Sequence, residues 1–248
     1  ESAAGESRPI DSDFSAFVFK VQANMDPSHR DRMAFMRVNS GHFERGMQVT
    51  HARLKKPFST KFATSVFGAD RDTVEDGYPG DVIGLVNASD LRIGDTLFAG
   101  DAVAYPPIPR FEPELFWSAR PLDVSKSKQF RKGLDQLDEE GVVQVLRDLD
   151  APTASPILGA VGQMQFEVFA HRLEFEFGSK IDMSPTSWVV ARRTDAETAE
   201  GICQLRGTRV LGSLDGTLFA LFDSAGRLTR TVADNPDWVL ERVVETAG

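Results

Sequence analysis

The chain has 248 residues, 41% of them hydrophobic, enough apolar material for one large or two modest cores. Its 37 acidic residues outnumber 28 Lys and Arg, and the resulting net charge of −9 argues against a nucleic-acid coat protein on bulk charge alone. One cysteine, Cys203, excludes an internal disulfide and a cysteine-type metal cluster, which points to a reducing, cytoplasmic setting, and no apolar run approaches the ~18 residues of a membrane span.

Residues 1–12 are small, polar and without period, and the first residue is Glu1, so they read as a linker tail in a piece of a longer protein. From residue 13 to 104 the chain is strand and turn, with short apolar runs between Gly41, Gly46, Gly68, Gly77, Gly80, Gly84, Gly94 and Gly100. Such spacing favours a closed β-barrel, because closure removes exposed strand edges. Its leading strand carries Phe17, Phe19, Val21 and Ala23 on one face by strict alternation. In the next strand Ala34, Met36 and Val38 share a face opposite Arg37. Asn39-Ser40-Gly41 then supplies a turn.

Tyr105-Pro106-Pro107-Ile108-Pro109 is a stiff spacer, and 105–112 divides the chain. Residues 113–248 change texture. A strand at Leu115–Leu122 leads to a helix at Ser125–Glu140 with Phe130, Leu134 and Leu137 on one stripe. Strands at Val142–Leu149 and Ile157–Val161 precede a second helix, Gln163–Phe177, whose stripe is Phe166, Phe169, Ala170, Leu173 and Phe177. A strand around Ile181–Met183 completes β-α-β-β-α-β, the ferredoxin-like α+β motif. A C-terminal αβ extension follows: a strand at Trp188–Arg192, a helix opening on the capping box Thr194-x-x-Glu197, and strands at Thr217–Phe222 and Trp238–Glu241. Ala225–Asp234 fits helix and hairpin arm alike.

Charge is distributed unevenly. From Lys20 to Phe62 there are nine Lys and Arg against three acids, a basic island on an acidic molecule. Arg30, Arg32, Arg37, Lys55 and Lys56 are the candidate phosphate-binding residues there, each weighed against an ordinary solvated charge. Early in the first helix of the second half, Lys126, Lys128, Arg131 and Lys132 oppose the helix macrodipole, while Asp138, Glu139 and Glu140 sit late. They are the candidate partner-binding residues, weighed against a solvated face.

The chemistry of an active site does not emerge. There is no GxxxxGK[ST] loop, no GxGxxG, no HxxxH or HExxH pairing of His29, His42, His51 and His171, and no GxSxG. Asp223-Ser-Ala-Gly226 has DxxG spacing but reads as a turn. Cys203 reads as a small buried hydrophobe, and Trp117 and Trp188 as core. No catalytic, cofactor-binding or metal-binding residue is assigned.

RVNSGHFERGMQV (Arg37–Val49), YPGDVIGL (Tyr78–Leu85) and IGDTL (Ile93–Leu97) resemble the barrel that follows the nucleotide-binding domain in translational GTPases. FKVQANMDPSHRDRMAFMRV (Phe19–Val38), PELFWSARPLD (Pro113–Asp123), LDEEGVVQV (Leu137–Val145) and VGQMQFEVFAHRL (Val161–Leu173) are similar to the bacterial class II peptide chain release factor family, release factor 3. Elongation factor G would show EEDP in place of Glu139-Glu140-Gly141-Val142 and GMGELHL over Val161–Phe166. The resemblance is strong from Phe14 to Phe177 and thin beyond Ile181. It implies a translation-factor β-barrel followed by a ferredoxin-like domain, in a parent whose N-terminal GTPase domain binds GTP or GDP with Mg. It further implies as partners the ribosome (RNA and protein), that GTPase domain and, indirectly, class I release factors, which the parent helps to dislodge after peptide release. The fragment would then be a docking surface and lever without catalysis of its own. The alternatives are the ribosome-binding part of an elongation or ribosomal-protection factor, and a small-molecule enzyme of ferredoxin-like fold.

Overall fold

A computed structural model describes residues 2–23, 32–65, 73–86, 88, 90–106, 108, 112–151 and 154–242. The chain divides into two compact units, Glu1–Ile108 and Pro109–Gly248.

The first unit contains β1 (Ser15–Ala23), β2 (Arg32–Ser40), β3 (Phe43–Glu44), β4 (Gln48–His51), β5 (Lys56–Ser59), β6 (Ala63–Ser65), β7 (Asp76–Gly77), β8 (Val82–Val86) and β9 (Thr96–Phe98). Seven of these form one sheet in the order β5-β4-β9-β1-β2-β8-β6, and β3 and β7 form a separate pair. Seven strands laid flat would hold the outermost two about 29 Å apart. Those two, β5 and β6, are joined by only Thr60, Lys61 and Phe62, which can reach about 14 Å. The sheet must therefore curl, and it wraps Ala16, Val18, Val21, Met36, Val38, Ile83, Leu85 and Leu97 into one core. Among the described residues the ladder still ends at β5 and β6, so the expected closed barrel is a half-barrel.

One face assignment changes. The β1–β2 register slips between Val18 and Lys20, and this bulge turns Phe19 outward to 39% exposure. Before the bulge Ala16 and Val18 are buried in place of the expected Phe17 and Phe19, and beyond it Val21 is buried as expected, while the side chain of Ala23 lies outside those described. In β2, Ala34, Met36 and Val38 are fully buried and Arg37 is exposed, as the alternation requires.

The β4–β5 hairpin is pinned from below. The Arg53 guanidinium donates to both oxygens of the Asp95 carboxylate, at 2.7 and 2.9 Å, and the Arg92 amide adds a third bond at 2.8 Å. His51 Nε2 lies 2.8 Å from the same carboxylate, and both side chains are almost fully buried. Burial pushes the Asp95 carboxyl up, but the bonds from Arg53 and Arg92 and the charges of His51 and Arg53 outweigh it, so its pKa lies below the ordinary value.

The second unit contains β10 (Leu115–Pro121), α1 (Ser127–Glu139), β11 (Gln144–Leu146), β12 (Ile157–Ala160), α2 (Gln163–Phe177), β13 (Ile181–Pro185), β14 (Val190–Thr194), α3 (Ala196–Cys203), β15 (Thr208–Gly212), β16 (Leu218–Phe222) and α4 (Ala225–Asp234). Its first sheet is antiparallel in the order β11-β12-β10-β13, with α1 and α2 as the connections. The second runs β14-β16-β15, and Glu241 bridges to Arg193 on the open side of β14. With that bridge in the place of a last strand, the chain traces the same β-α-β-β-α-β course twice.

Alternation along the strands separates the layers. Trp117, Ala119, Val145, Leu158 and Ala160 pack with Phe130, Leu134, Leu137, Phe166, Phe169 and Leu173 of α1 and α2. On the opposite face, Phe116, Leu146 and Ile157 meet Ala191, Leu211, Phe219 and Leu221 of the second sheet. That sheet's far face holds Ala220 and Phe222 against Ile202 and Leu228 of α3 and α4. The unit is a helix–sheet–sheet–helix sandwich, and β11 and β15 are stitched at one edge by reciprocal bonds between Arg147 and Gly212 at 2.8 Å.

The C-terminal third departs from expectation in several places. Thr194 ends β14 in its ladder with Leu218, and Asp195 caps α3 by accepting from the Thr198 amide at 2.8 Å. Ala225–Asp234 is helical, capped by Ser224 and buried through Leu228 and Thr231. The strand expected at Trp238–Glu241 is a single bridge, and Cys203 is exposed rather than buried.

Two substitutions test this framework. Gly41 has φ +70 and a Cβ there would lie 2.5 Å from the Phe14 amide nitrogen, whereas Gly46, at φ +82, has open space. Gly41→Ala is expected to cost about 2 kcal/mol more than Gly46→Ala in denaturant unfolding, since only the former adds a backbone clash to the left-handed strain; equal losses would refute the close approach. Asp95→Asn is expected to cost about 2–3 kcal/mol at neutral pH. Because the folded pKa of Asp95 is depressed below 3.8, its stabilisation is complete above that range and fades as pH falls through the folded value. Unfolding series from about pH 7 to about pH 3 should show the variant and parent converging at the acid end; a constant gap would remove the charge as the cause.

Candidate nucleic-acid interface

The basic island does not fold into one patch. Arg30 lies outside the described residues. Arg32 is half-buried, and its Nη2 donates to the Leu91 carbonyl at 3.1 Å, which ties β2 to the segment before β9. Arg45 pairs with Glu75 at 2.9 Å and also donates to the Lys61 carbonyl, and Arg53 is bound to Asp95. Lys20 stands 5.3 Å from the centre of the Phe35 ring.

What remains outward and makes no ion pair with a described residue is Arg37 on β2 and Lys55, Lys56 and Lys61 around β5. Arg37 is separated from β5 by β1, β9 and β4 in the ladder, so on a curled sheet it faces a different direction. Lys55 and Lys56, by contrast, sit at one end of edge strand β5 and Lys61 just past the other. Lys55 holds φ 53, the left-handed conformation in which a glycine would be less strained, and its amide donates to the His51 carbonyl at 2.8 Å. Beside these lysines Leu54 is 38% exposed and Phe62 61% exposed.

Charge and periodicity alone do not single out Lys61 and Phe62 as site residues. The available signal is the three-residue connection itself: a lysine and an aromatic residue in a tight link between edge strands cannot both turn inward.

In the second unit the four expected cations are brought together. All four are exposed: Lys126 at the N-cap of α1, and Lys128, Arg131 and Lys132 in its first two turns on the side away from Phe130, Leu134 and Leu137. Lys128, Arg131 and Lys132 stand at i, i+3 and i+4, hence on neighbouring turns of one face, and make no ion pair with a described residue. Just upstream, the Asp123 carboxylate caps the turn by accepting from the Ser125 amide at 2.8 Å. Bonds from the Ser125 hydroxyl and amide, with the Lys126 charge adding a little, hold the Asp123 carboxyl below its ordinary value against a slight opposing effect of burial.

The late acids of α1 are answered internally. Glu140 pairs with Arg172 of α2 at 2.6 Å, and the Asp138 carboxylate accepts from the buried Val145 amide. Arg172 is also bound to Glu176; burial opposes its charge, but the two carboxylates outweigh that and raise its pKa. The acidic end of α1 is therefore taken up in packing, and the cationic end faces solvent. Trp117 stacks on Phe166 with centroids 4.8 Å apart, part of the core as expected.

Residues 13–100 match the family model for elongation factor G domain 2, and residues 105–232 match that for the class II release factor RF3 C-terminal domain. Among curated proteins, peptide chain release factor 3 of Synechococcus elongatus is 42% identical over 248 residues, covering 99% of this chain and 45% of the relative. The protein of the same name from Nostoc punctiforme is 41% identical over 98% of this chain and 45% of its own length. That from Symbiobacterium thermophilum is 49% identical over 76% of this chain and 36% of its own. The chain thus spans about half the length of the curated relatives it matches. A solved structure from Thermus thermophilus, 20% identical, aligns with a TM-score of 0.61 over 84% of this chain and 30% of that one, a likeness of fold. With the release-factor model matching residues 105–232 and relatives of that name 41–42% identical over 98–99% of the chain, this chain belongs to the class II peptide chain release factor 3 family.

Proposed function

We propose that this chain is the ribosome-binding, conformational-lever portion of a release-factor-3-type translational GTPase, which promotes departure of class I release factors after peptide release. GTP or GDP with Mg would be handled by a GTPase domain of the whole protein. We assign no catalytic, cofactor-binding or metal-binding role to the residues of this chain, and the setting is the cytoplasm. The second unit is read as a ferredoxin-like sandwich, supported by the sheet order β11-β12-β10-β13 with two connecting helices.

The observation that carries the docking role is the lysine-flanked edge of β5 on a molecule of net charge −9. Lys55 and Lys56, with Lys61 added from the structure, are proposed to neutralise ribosomal RNA phosphates, a contact set by charge and hence by salt. Arg37 and Arg30 are proposed as separate phosphate contacts, and Arg32 as a lesser one whose first task is to hold the Leu91 segment. A lysine kept in a left-handed turn is the kind of local strain that a binding surface retains. Lys126, Lys128, Arg131 and Lys132 are proposed as a second, partner-facing surface.

The lever role is supported by how the two ends of the first unit are tied. The Ala3 amide donates to the Ala104 carbonyl at 2.7 Å, Tyr105 Oη lies 2.6 Å from Ser15 Oγ, and the Tyr105 amide donates to Thr96 Oγ1 at 2.9 Å. The strands through which force would pass into and out of the half-barrel are thereby clasped together, so a displacement of one is carried to the other without deforming the core.

Lys55→Glu/Lys56→Glu is expected to weaken ribosome binding by the chain and to reduce the slope of log K against log salt by about 2. A sedimentation assay across a salt series measures this; unchanged affinity and slope would remove β5 from the interface. In the full-length protein the same pair should slow departure of a class I release factor from post-termination ribosomes while leaving ribosome-free GTP binding intact. Normal departure rates with these charges reversed would defeat the docking role.

A further inference from the structure

Helix α2 has a second apolar stripe. Phe166, Phe169 and Leu173 face the sheet, as expected of an amphipathic helix. Met164, Val168, His171 and Phe175, at i, i+4, i+7 and i+11, lie on the opposite side. Met164 is 74%, Val168 44% and Phe175 70% exposed, and His171 is exposed with its ring 4.4 Å from that of Phe175. Outward faces of surface helices are ordinarily polar, so a continuous apolar row along successive turns marks a contact surface rather than chance exposure.

The neighbouring helix indicates what would cover it. A Cβ on Gly133 of α1 would come 2.5 Å from Leu173 Cδ2 and 3.0 Å from Phe177 Cγ, so the two helices pack at close range, further locked by Glu140–Arg172. Their outward faces are then about one helix diameter apart, within the footprint of a single helix laid over the pair. On α1 that outward side carries Lys128, Arg131 and Lys132 over its first two turns, followed by Asp135, which pairs with Arg147 at 2.6 Å, and Glu139. The composite surface is apolar along one helix and cationic at the start of the next. RNA phosphate would satisfy the cations but leave the apolar row without a partner. A second copy of the chain needs roughly 20–30 residues a side for a stable dimer, far more than this row supplies.

We propose that the outward faces of α2 and α1 form a docking surface for an acidic amphipathic helix of a protein partner, its apolar side on Met164, Val168 and Phe175 and its carboxylates toward Lys128, Arg131 and Lys132. This rests on the partner-facing reading of α1 given above and names the class of partner. The recognition mode is helix on helix, with aromatic and methionine side chains as anchors and charge setting orientation and specificity. Glu167, on the other flank of the row, disfavours the reversed orientation, while Glu174 beside it is paired with Lys180 at 3.1 Å.

The test uses the 248-residue chain and a dye-labelled helical peptide with leucines at i, i+3, i+4 and i+7 flanked by glutamates, against an otherwise identical peptide flanked by lysines. Fluorescence anisotropy should show the glutamate peptide binding and the lysine peptide binding more weakly. Met164→Ser/Phe175→Ser, both at exposed sites, should weaken the glutamate peptide about tenfold, and Lys128→Glu/Arg131→Glu should reverse the preference between peptides. Circular dichroism melting confirms that both variants remain folded. Equal binding of the two peptides, no effect of the serine variant, displacement of the peptide by an RNA hairpin, or a dimer in sedimentation velocity that Phe175→Ser disperses would each overturn the proposal. Should Lys128→Glu/Arg131→Glu reduce ribosome binding while neither peptide binds, the partner-facing reading survives and the acidic-helix assignment falls.

Discussion

Three residues hold the two outermost strands of the first unit within reach of each other, and much of what the unit can do follows from that short tether. A flat seven-stranded sheet would expose both faces and leave its apolar row half solvated. Joining β5 to β6 through Thr60, Lys61 and Phe62 forces the curl that gives Val18, Met36 and Leu85 a common interior. Each such side chain contributes about 1.5–3 kcal/mol on burial, so the curl is favoured by many times the small entropy of closing so short a link. The same tether leaves β5 as an edge with lysines at both ends. The half-barrel and its cationic rim have a single geometric cause.

The second unit reaches its stability by repetition. Each β-α-β-β-α-β course covers one face of its sheet with its own helices, and the two bare faces cover each other. Neither half is complete alone. Without Ala191, Leu211, Phe219 and Leu221 of the second sheet, Phe116, Leu146 and Ile157 of the first would face water. The sandwich is therefore cooperative between halves, and the reciprocal Arg147–Gly212 bonds fix their register at one edge. Because both sheets are buried on both faces, the outer helical layers are the broad surfaces on which the unit can meet a partner.

Legibility from sequence follows the strength of the local signal. Helix α2 runs over the residues its apolar period predicts, because Gly178 in the left-handed conformation stops it sharply and Phe166, Phe169 and Leu173 pin its inner face. The same period hides the outer row, since Met164, Val168 and Phe175 read as additional core when only the hydrophobic count is considered. The β1 face assignment fails for a different reason: a bulge at Phe19 shifts the inward set by one residue, and no residue type there announces it. Strand β15 escapes the sequence because Arg209 interrupts a five-residue run whose apolar side chains find their cover elsewhere in the chain, Leu211 on Phe116, Leu146 and Ile157 and Val210 in the cluster of Ile202 and Leu228. The cation candidates divide along similar lines. Sequence shows that Arg45 and Arg53 are charged, but only folding brings Glu75 and Asp95, distant in the chain, to neutralise them.

The placement of the remaining cations is better understood as a choice about what to leave facing water. At the start of α1 Lys128 opposes the helix dipole at a cost of about 0.3–1 kcal/mol, screened by salt, and Arg131 and Lys132, one turn further in, oppose it less. Moving the late acids of the same helix to its start would relieve that cost, yet Asp138 and Glu140 are needed where they are, to accept from the Val145 amide and to pair with Arg172. The inward requirements of packing thus fix the acids at one end, and a helix with a fully buried inner face tolerates the small residual penalty at the other. The half-barrel shows the same division: Asp95 and Glu75 hold the arginines that shape the fold, and the lysines around β5 are left to solvent. The arginines that do pair, Arg53 with Asp95 and Arg172 with Glu140 and Glu176, serve structure through the planar fork of the guanidinium, whereas Arg37 and Arg131 join the lysines on the outward surface.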